Sequence, residues 1–294
     1  MVGLSRRLLM MPRSQSHYAL IGKEKNERYT TTTTTTTNET CYAKEGLHYV
    51  ALLKECAKRK DLKKGISLHI DILNKDLLRK NPYVGSTLVS MYAKCGALEK
   101  AQEVLDELPY RNVISWSALI AGYAEHEECH KTFNCVEQMR SEGLAPDAVT
   151  FTAMLKACGR TRSIDKGREI HIELVKFGLE GSPIIGATLL HMYGKHGSLV
   201  EAESVFNKLA IKDVVTWTTL MFAYVQNELG DDALWCFEQM QIGGICPNAI
   251  AFFIGLKACV NTGSMDKAQE IHTLAVKQGM DMDLVFGDYI MNVH

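Results

Sequence analysis

This sequence lacks an excess of positive charge, a long apolar run and a Cys-x-x-Cys pair, and each absence argues against a class of protein. The 294 residues carry 33 Lys and Arg against 34 Asp and Glu, a formal net charge of −1, so no excess of positive charge exists to attract nucleic acid in bulk. No apolar run approaches the roughly 18 residues of a membrane-spanning helix. The nine cysteines are odd in number and include no Cys-x-x-Cys pair. We therefore expect a soluble protein in a reducing compartment, in which cysteine is a small buried apolar residue.

The first 45 residues lack the patterning of a folded region. Met1 to Lys23 contains three arginines with several serines and leucines, and the first acidic residue is Glu24. Such an acid-free start is typical of an organellar transit peptide, mitochondrial more than chloroplast, although a frayed basic N-terminus without a role is the alternative. Eight threonines, Thr30–Thr37, form a low-complexity stretch. We expect residues 1–45 to be a transit peptide followed by a disordered Thr-rich linker.

From Gly46 onward the sequence repeats itself. A shift of 101 residues superposes Trp116 on Trp217 and Tyr123 on Tyr224, and it aligns the Lys-Ala-Cys segment 156–158 with segment 257–259. Four of the six prolines fall into phase as two pairs, Pro82/Pro183 and Pro146/Pro247. An agreement over so many residues without a gap indicates internal duplication.

A finer period lies inside each duplicated unit. An apolar segment is followed by a short polar turn and then by a second amphipathic segment, which predicts a helical hairpin of about 31 to 36 residues. A single hairpin cannot bury its apolar stripe alone. The sequence therefore predicts an all-α solenoid of stacked hairpins with a concave face.

The residues of these hairpins resemble the pentatricopeptide repeat family. The resemblance rests on Val113–Ile120 (Val-Ile-Ser-Trp-Ser-Ala-Leu-Ile), Met91–Gly96 (Met-Tyr-Ala-Lys-Cys-Gly) and Gly143–Asp147 (Gly-Leu-Ala-Pro-Asp). It implies a right-handed superhelix, and the 35/35/31 rhythm is similar to the plant subfamily that alternates P, long (L) and short (S) motifs. The implied motifs are L 46–81, S 82–112, P 113–147, L 148–182, S 183–213, P 214–248, L 249–283 and a partial S 284–294.

The resemblance implies that each repeat binds one base of single-stranded RNA. In the family the second residue of a motif packs on the base, and the fifth and last residues read it. The packing residues carried over to this chain are Tyr83, Ile114, Val149, Ile184, Val215 and Ile250. The alternative is that these apolar residues pack helix against helix.

The reading pairs suggest a base for three repeats. Ser86 with Asn112 resembles the family's adenine pattern, and Thr218 with Asn248 does the same. Ser117 with Asp147 resembles its guanine pattern, since a carboxylate accepts hydrogen bonds from a purine.

The remaining repeats leave the base undefined. In the second S motif Ala187 has no polar group, so Asp213 would act alone, and the L motifs follow the family's code poorly. The expected target, read 5′ to 3′ from the N-terminus, contains A-G-N-N-A. Because the net charge is close to zero, attraction for phosphate must come from a local arrangement of side chains.

Two short matches to enzyme motifs are not expected to be sites. His126-Glu-Glu-Cys-His130 fits a zinc-protease pattern, but the alignment of repeats places its first two residues in the turn between two helices, where the helical geometry is lost. His171-Ile-Glu matches half of a deaminase motif whose Cys-x-x-Cys half is absent, and the histidine recurs as His69 and His272. We expect no catalytic residue, metal, cofactor or small-molecule substrate.

The function expected is sequence-specific binding of organellar single-stranded RNA, in mitochondria or alternatively in chloroplasts. By the resemblance this binding supports C-to-U editing or other RNA processing. The chain stops within a repeat without the C-terminal domains, including a deaminase-like one, that many members of the subfamily carry, so we expect either a truncated gene fragment or a protein that recruits a deaminase or other factor in trans. We expect the apolar face of that last partial repeat to fray. A protein-binding scaffold without RNA specificity is the alternative.

Overall fold

The structure, a computed structural model, describes residues 35–161 and 164–279. Within these ranges the regular secondary structure is entirely helical. Of two compact units, Met1–Thr40 and Cys41–His294, the second contains the helical hairpins. The N-terminal leader up to residue 34 and the partial repeat 284–294, both inferred from the sequence, lie outside the described residues.

The described helices alternate between a first and a second helix of each hairpin. The first helices are α1 (Thr35–Arg59), α4 (Pro82–Lys94), α6 (Val113–Glu125), α8 (Ala148–Cys158), α10 (Pro183–Lys195), α12 (Val214–Gln226) and α14 (Ala249–Thr262). The second helices are α2 (Leu62–Asn74), α5 (Leu98–Glu107), α7 (Cys129–Ser141), α9 (Ile164–Lys176), α11 (Leu199–Lys208), α13 (Gly230–Ile242) and α15 (Met265–Lys277), and a single turn, α3 (Leu77–Lys80), follows α2. From α4 onward each first helix begins at the residue where the sequence places the start of a motif.

The first hairpin differs from the expected boundary. Helix α1 begins at Thr35, so residues 35–45, which the sequence assigned to a disordered linker, are helical in the structure. The segment from Thr35 to Arg59 contains no proline, and each residue added to an existing helix adds one backbone hydrogen bond. No local signal therefore stops the helix at Gly46.

Packing between the helices produces the solenoid. Each first helix from α4 to α12 packs against the next first helix, whereas the second helices pack mainly on first helices. The five largest of the fully buried side chains, which are Trp116, Tyr92, Tyr193, Phe151 and Phe252, belong to the first helices. The structure is thus an all-α solenoid of helix–turn–helix repeats, as the sequence predicts.

The short motifs are short because of their second helices. Helices α5 and α11 have 10 residues, whereas α7, α9, α13 and α15 have 13. After the shortened helix the chain becomes extended at Leu108, which packs on the first helix of its own repeat. A Cβ on Gly85 would lie 2.5 Å from the Leu108 side chain, and one on Gly186 would lie 2.5 Å from Leu209. The same glycine–leucine contact therefore closes both short repeats.

The recurring histidine joins a long repeat to the short repeat that follows it. His69 Nδ1 lies 2.9 Å from the Tyr92 hydroxyl, and His171 Nδ1 lies 2.8 Å from the Tyr193 hydroxyl. Burial lowers the pKa of both histidines. Half-buried, neutral imidazoles in these contacts pack one repeat on the next.

The cysteines lie mainly in the core. Of those whose side chains are described, five are buried, and no disulfide joins any of them. Burial raises the pKa of Cys135 to about 12, so its thiol remains protonated and unreactive at neutral pH. Among the described residues, no helix is both long and apolar enough to cross a membrane.

Candidate nucleic-acid interface

The last residue of each repeat that was predicted to read a base is the N-cap of the next first helix. The cap hydrogen bonds run from Ser115 N to Asn112 Oδ1 (2.9 Å), Thr150 N to Asp147 Oδ1 (2.8 Å), Thr216 N to Asp213 Oδ1 (2.9 Å) and Ala251 N to Asn248 Oδ1 (2.9 Å). Asn and Asp are favoured at this position because their side-chain oxygen satisfies a free backbone N–H of the first turn.

Capping determines which polar atom of each residue remains for a ligand. One side-chain oxygen is held by the backbone N–H, so an aspartate presents its second oxygen, a hydrogen-bond acceptor. An asparagine in the same position presents its amide nitrogen, a hydrogen-bond donor. Asn112, Asp147 and Asn248 are partly exposed and Asp213 is exposed, so none of these capping residues is buried in the core.

Two of the four predicted reading pairs are in direct contact. Ser117 Oγ lies 2.9 Å from Asp147 Oδ1, and Ser86 Oγ lies 3.2 Å from Asn112 Oδ1. Both serines are buried, with exposed fractions of 3% for Ser117 and 4% for Ser86, so each contacts the partly exposed last residue of its repeat from the interior side.

The other two pairs are not joined in this way. The Thr218 hydroxyl donates to the backbone oxygen of Val214 at 2.8 Å, with Val215 O as its other acceptor, and no hydrogen bond links it to Asn248. Ala187 has no hydroxyl, and Asp213 Oδ1 accepts only the cap bond from Thr216 N.

Thr150 is a polar residue of this site that the sequence comparison of motifs missed. Its hydroxyl donates to Asp147 Oδ1 at 2.8 Å and lies 2.9 Å from Ser117 Oγ, and the residue is fully buried. Ser117 and Thr150 together therefore hold one oxygen of Asp147 and fix the direction of the other. The signal in the sequence is a Thr three residues after a capping Asp, the spacing of a capping interaction.

The six predicted packing residues all point into solvent. The exposed fractions of Tyr83, Ile114, Val149, Ile184, Val215 and Ile250 range from 52% to 70%. Apolar side chains of this size gain about 1.5–3 kcal/mol from full burial, so the interior of the solenoid would favour them had they served helix packing. The structure instead presents them as a row of exposed apolar side chains, one on each first helix from α4 to α14.

Three neighbouring cavities lie along these first helices. A cavity of about 330 Å³ is lined by Ile114, Val149, Ser117 and Asp147, that is, by two successive packing residues and one reading pair. A second, of about 250 Å³, lies between Val149 and Ile184 and is lined also by Thr152 and Ser182, the fifth and last residues of the long motif.

The third cavity has a different lining. It encloses about 380 Å³ beside Ala187, and its walls include Lys156, Arg160 and Lys195. None of the six packing residues and none of the capping Asn and Asp residues line it.

The apparent zinc-protease motif is interrupted by a turn. His126 is the C-cap of α6, and Glu127 has a left-handed backbone conformation with φ of 67°. His130 then lies in the first turn of α7 and contacts Asn134. Within residues 35–161 and 164–279 no three His, Cys, Asp or Glu side chains are grouped so that they could hold a metal ion.

Comparison with known protein families gives matches along most of the described repeats. A family model described as "PPR repeat family" matches residues 111–160 and 212–261, and one described as "PPR repeat" matches residues 86–113, 149–179 and 188–214. Together these matches cover more than half of the 294 residues.

The chain is also similar to plant proteins. It is 34% identical over 230 residues, 78% of this chain and 22% of the relative, to a mitochondrial pentatricopeptide repeat-containing protein of Arabidopsis thaliana. It is 33% identical over 247 residues, 84% of this chain and 30% of the relative, to a chloroplastic one of the same plant. The chain thus spans less than a third of the length of these two curated relatives.

Solved structures share the fold. The crystal structure of the pentatricopeptide repeat protein PPR10 in complex with an 18-nucleotide psaJ RNA element superposes with a TM-score of 0.67 at 20% identity, over 79% of this chain and 35% of that one. The structure of PPR10 from maize superposes with a TM-score of 0.55.

Proposed function

Because the chain belongs to the pentatricopeptide repeat family, we propose that it binds single-stranded RNA along the row of first helices, one base per repeat. The observation that carries this proposal is the cavity between Ile114 and Val149, which has Ser117 and Asp147 in its wall. A base inserted there would have an apolar side chain on each face and a carboxylate oxygen at its edge. This arrangement matches how unstacked bases are recognised.

The capping geometry supports the bases assigned to three repeats. Asp147 offers an acceptor, which suits the N–H groups on the pairing edge of guanine. Asn112 and Asn248 offer an amide donor, which suits the ring nitrogen acceptor of adenine. The proposed target therefore contains A-G-N-N-A in repeats 82–112 to 214–248, with the third and fourth bases open.

We propose a role in RNA processing within an organelle, with the enzyme supplied by another protein. Support comes from the names of the relatives, which are mitochondrial or chloroplastic, and from the 35/35/31 rhythm typical of the plant subfamily with P, L and S motifs. C-to-U editing with a deaminase in trans is the specific role proposed. Residues 1–45 are proposed to direct import into mitochondria, and a fusion of this segment to a fluorescent protein tests that.

The experiment that tests RNA recognition measures affinity for two oligouridines that differ at one base. One carries 5′-AGUUA-3′ and the other 5′-ACUUA-3′. A bidentate-type base contact contributes about 1–3 kcal/mol, so the guanine RNA should bind about 5- to 150-fold more tightly. Equal affinities would contradict the assignment of Asp147 to guanine. Absence of binding to either RNA, together with capture of a protein partner that depends on Asp147 and Asn248, would favour the scaffold alternative.

A further inference from the structure

The cavity beside Ala187 has the composition of an anion site. Three cationic side chains, Lys156, Arg160 and Lys195, line it together with one carboxylate, Glu125. Thr188 and Thr219 also line it, but their hydroxyls donate to the backbone oxygens of Ile184 and Val215, so the charged ligands available to an anion are the cationic side chains. Positive charge therefore exceeds negative charge here, although the whole chain has a formal net charge of −1.

The two lysines are available to a ligand, whereas the arginine is anchored. Arg160 donates to the Ala124 carbonyl oxygen, and its Nε lies 3.4 Å from Glu127 Oε1. Lys156 and Lys195 are exposed and make no ion pair within the part of the chain that the structure describes. A lysine ammonium is a mobile point charge with three donors, which suits an oxyanion whose position is not fixed by the protein.

His191 in the same wall does not supply a further charge. Its ring stacks on Phe222 with centroids 6.1 Å apart and planes at 20°. Burial, followed by the charges of Lys195 and Arg160, lowers the pKa of His191, so the imidazole is neutral at neutral pH. It forms a flat, uncharged wall beside the lysines.

The residues of this repeat that were predicted to pack on a base or to read it from the last position do not line this cavity. Ile184 lines the preceding cavity, and Asp213 does not line the cavity beside Ala187. Since Ala187 itself has no polar atom, the cavity offers charge without base-reading groups. This combination distinguishes it from the cavity that contains Ser117 and Asp147.

We propose that the cavity beside Ala187 binds a phosphodiester group of the RNA backbone next to the fourth nucleotide, with Lys156 and Lys195 as its charged ligands. This inference rests on the proposed RNA-binding function. The two lysines supply the local positive charge that a nearly neutral protein needs in order to bind RNA. The repeat 183–213 then adds affinity for the RNA backbone, whereas its fifth residue, Ala187, has no hydroxyl to contribute to base recognition.

The first test compares salt dependence of RNA binding in two double variants of the full chain. K156Q/K195Q removes the two cavity lysines, and K176Q/K277Q removes two exposed lysines that line none of the three cavities, so both variants change the net charge equally. For single-stranded RNA the slope of log affinity against log salt is about −0.7 per phosphate neutralised. We expect the slope with the AGUUA RNA to become about 0.7 less negative in K156Q/K195Q, with weaker binding at low salt, and to stay unchanged in K176Q/K277Q.

A second test locates the phosphate. The AGUUA RNA is prepared with a single uncharged methylphosphonate at each linkage in turn. We expect a linkage flanking the fourth nucleotide to weaken binding to the wild type and not to K156Q/K195Q. Equal penalties in both proteins at every linkage, or equal salt slopes in the two double variants, would overturn the phosphodiester site while leaving RNA binding intact.

A third test, which measures melting temperature with inorganic phosphate, asks whether the ligand of the cavity is the RNA backbone or a free phosphate ion. If free phosphate is the ligand, it should raise the melting temperature of the wild type and not of K156Q/K195Q, while no methylphosphonate position has a specific effect; that outcome contradicts the proposal. If the wild type binds none of these RNAs, both this inference and the proposed function are overturned.

Discussion

The two short repeats, 82–112 and 183–213, are built on the same frame and differ in what they present to solvent. Helices α4 and α10 have 13 residues each, and α5 and α11 have 10. The contact of Gly85 with Leu108 recurs as that of Gly186 with Leu209. These shared positions all face the interior of the solenoid.

The differences begin at the fifth residue of the first helix, which is the buried Ser86 in the first short repeat and the half-buried Ala187 in the second. In the first short repeat the Ser86 hydroxyl lies 3.2 Å from Asn112 Oδ1. In the second, Ala187 makes no such bond and lines a cavity with Lys156 and Lys195. The fifth residue can change without altering the glycine–leucine contact beside it, because successive residues of a helix point in directions about 100° apart. One frame can therefore hold a base in one copy and, as we propose, a phosphate in another.

The largest effect is expected from breaking the shared frame. Leu108→Ala and Leu209→Ala each remove a buried leucine, with exposed fractions of 8% and 3%, and each should lower the free energy of unfolding by about 2–5 kcal/mol. Chemical denaturation and amide hydrogen exchange of the affected repeat measure the loss. If the two frames are equivalent, the losses agree within about 0.5 kcal/mol. A loss in one repeat only would show that the frames differ.

A smaller effect is expected from releasing the reading residue of the repeat 113–147. Thr150→Val removes a hydroxyl that donates to Asp147 Oδ1 and should cost about 0.5–1.5 kcal/mol, part of it as lost preference for guanine at the second base. The matched control is Thr216→Val, because the Thr216 hydroxyl bonds to the backbone oxygen of Asp213 and not to its carboxylate. Equal loss of base preference in both variants would contradict a positioning role for Thr150.

Restoring the missing hydroxyl should make the second short repeat more like the first. In Ala187→Ser the new hydroxyl would occupy the position that the Ser86 hydroxyl has in the first short repeat. It should then form a hydrogen bond with Asp213, as Ser86 does with Asn112. We expect the preference at the fourth base for guanine or uracil, which donate an N–H, over adenine to rise by about 0.5–1.5 kcal/mol. Affinities for RNAs varied at that base measure it, and RNAs varied at the second base serve as the control. An unchanged preference would show that the hydroxyl does not act through the last residue.

The smallest effect is expected from His69 and His171, which lie in the preceding repeats and contact Tyr92 and Tyr193 of the two short repeats. Because burial lowers the pKa of His69 and His171 below the ordinary 6.5, the unfolded chain binds more protons below that pH. The contribution of these two histidines to the free energy of unfolding is therefore fully present above pH 6.5, and it is lost as the pH falls below that value. His69→Gln and His171→Gln should each flatten the fall in melting temperature between pH 7.5 and 5. A steeper fall in either variant would contradict this sign.

The sequence predicted the fold because packing residues repeat. Trp116 recurs as Trp217, and each copy repeats the same alternation of apolar and turn residues, so a single period determines most helix boundaries. Thr35, by contrast, begins a helix whose start no repeat unit marks. Its position depends on helix propagation, which the pattern does not encode.

The site was predictable in part, for a similar reason. The exposed row from Tyr83 to Ile250 and the contact of Ser117 with Asp147 follow from motif positions. Thr150 was missed because it belongs to the next motif and acts across the boundary. The cavity at Lys156 and Lys195 was missed because its two lysines come from different helices, and only the packing of α8 against α10 brings them together.

The most direct test of the account exchanges acceptor for donor at one reading residue. Asn caps a helix as well as Asp, so Asp147→Asn should keep the fold while its free atom changes from an oxygen to an N–H. Affinities of the wild type and of Asp147→Asn are measured for AGUUA and AAUUA RNAs. We expect the wild type to prefer guanine and the variant to prefer adenine at the second base. The same order of preference in both proteins would contradict the claim that the capping residue reads the base.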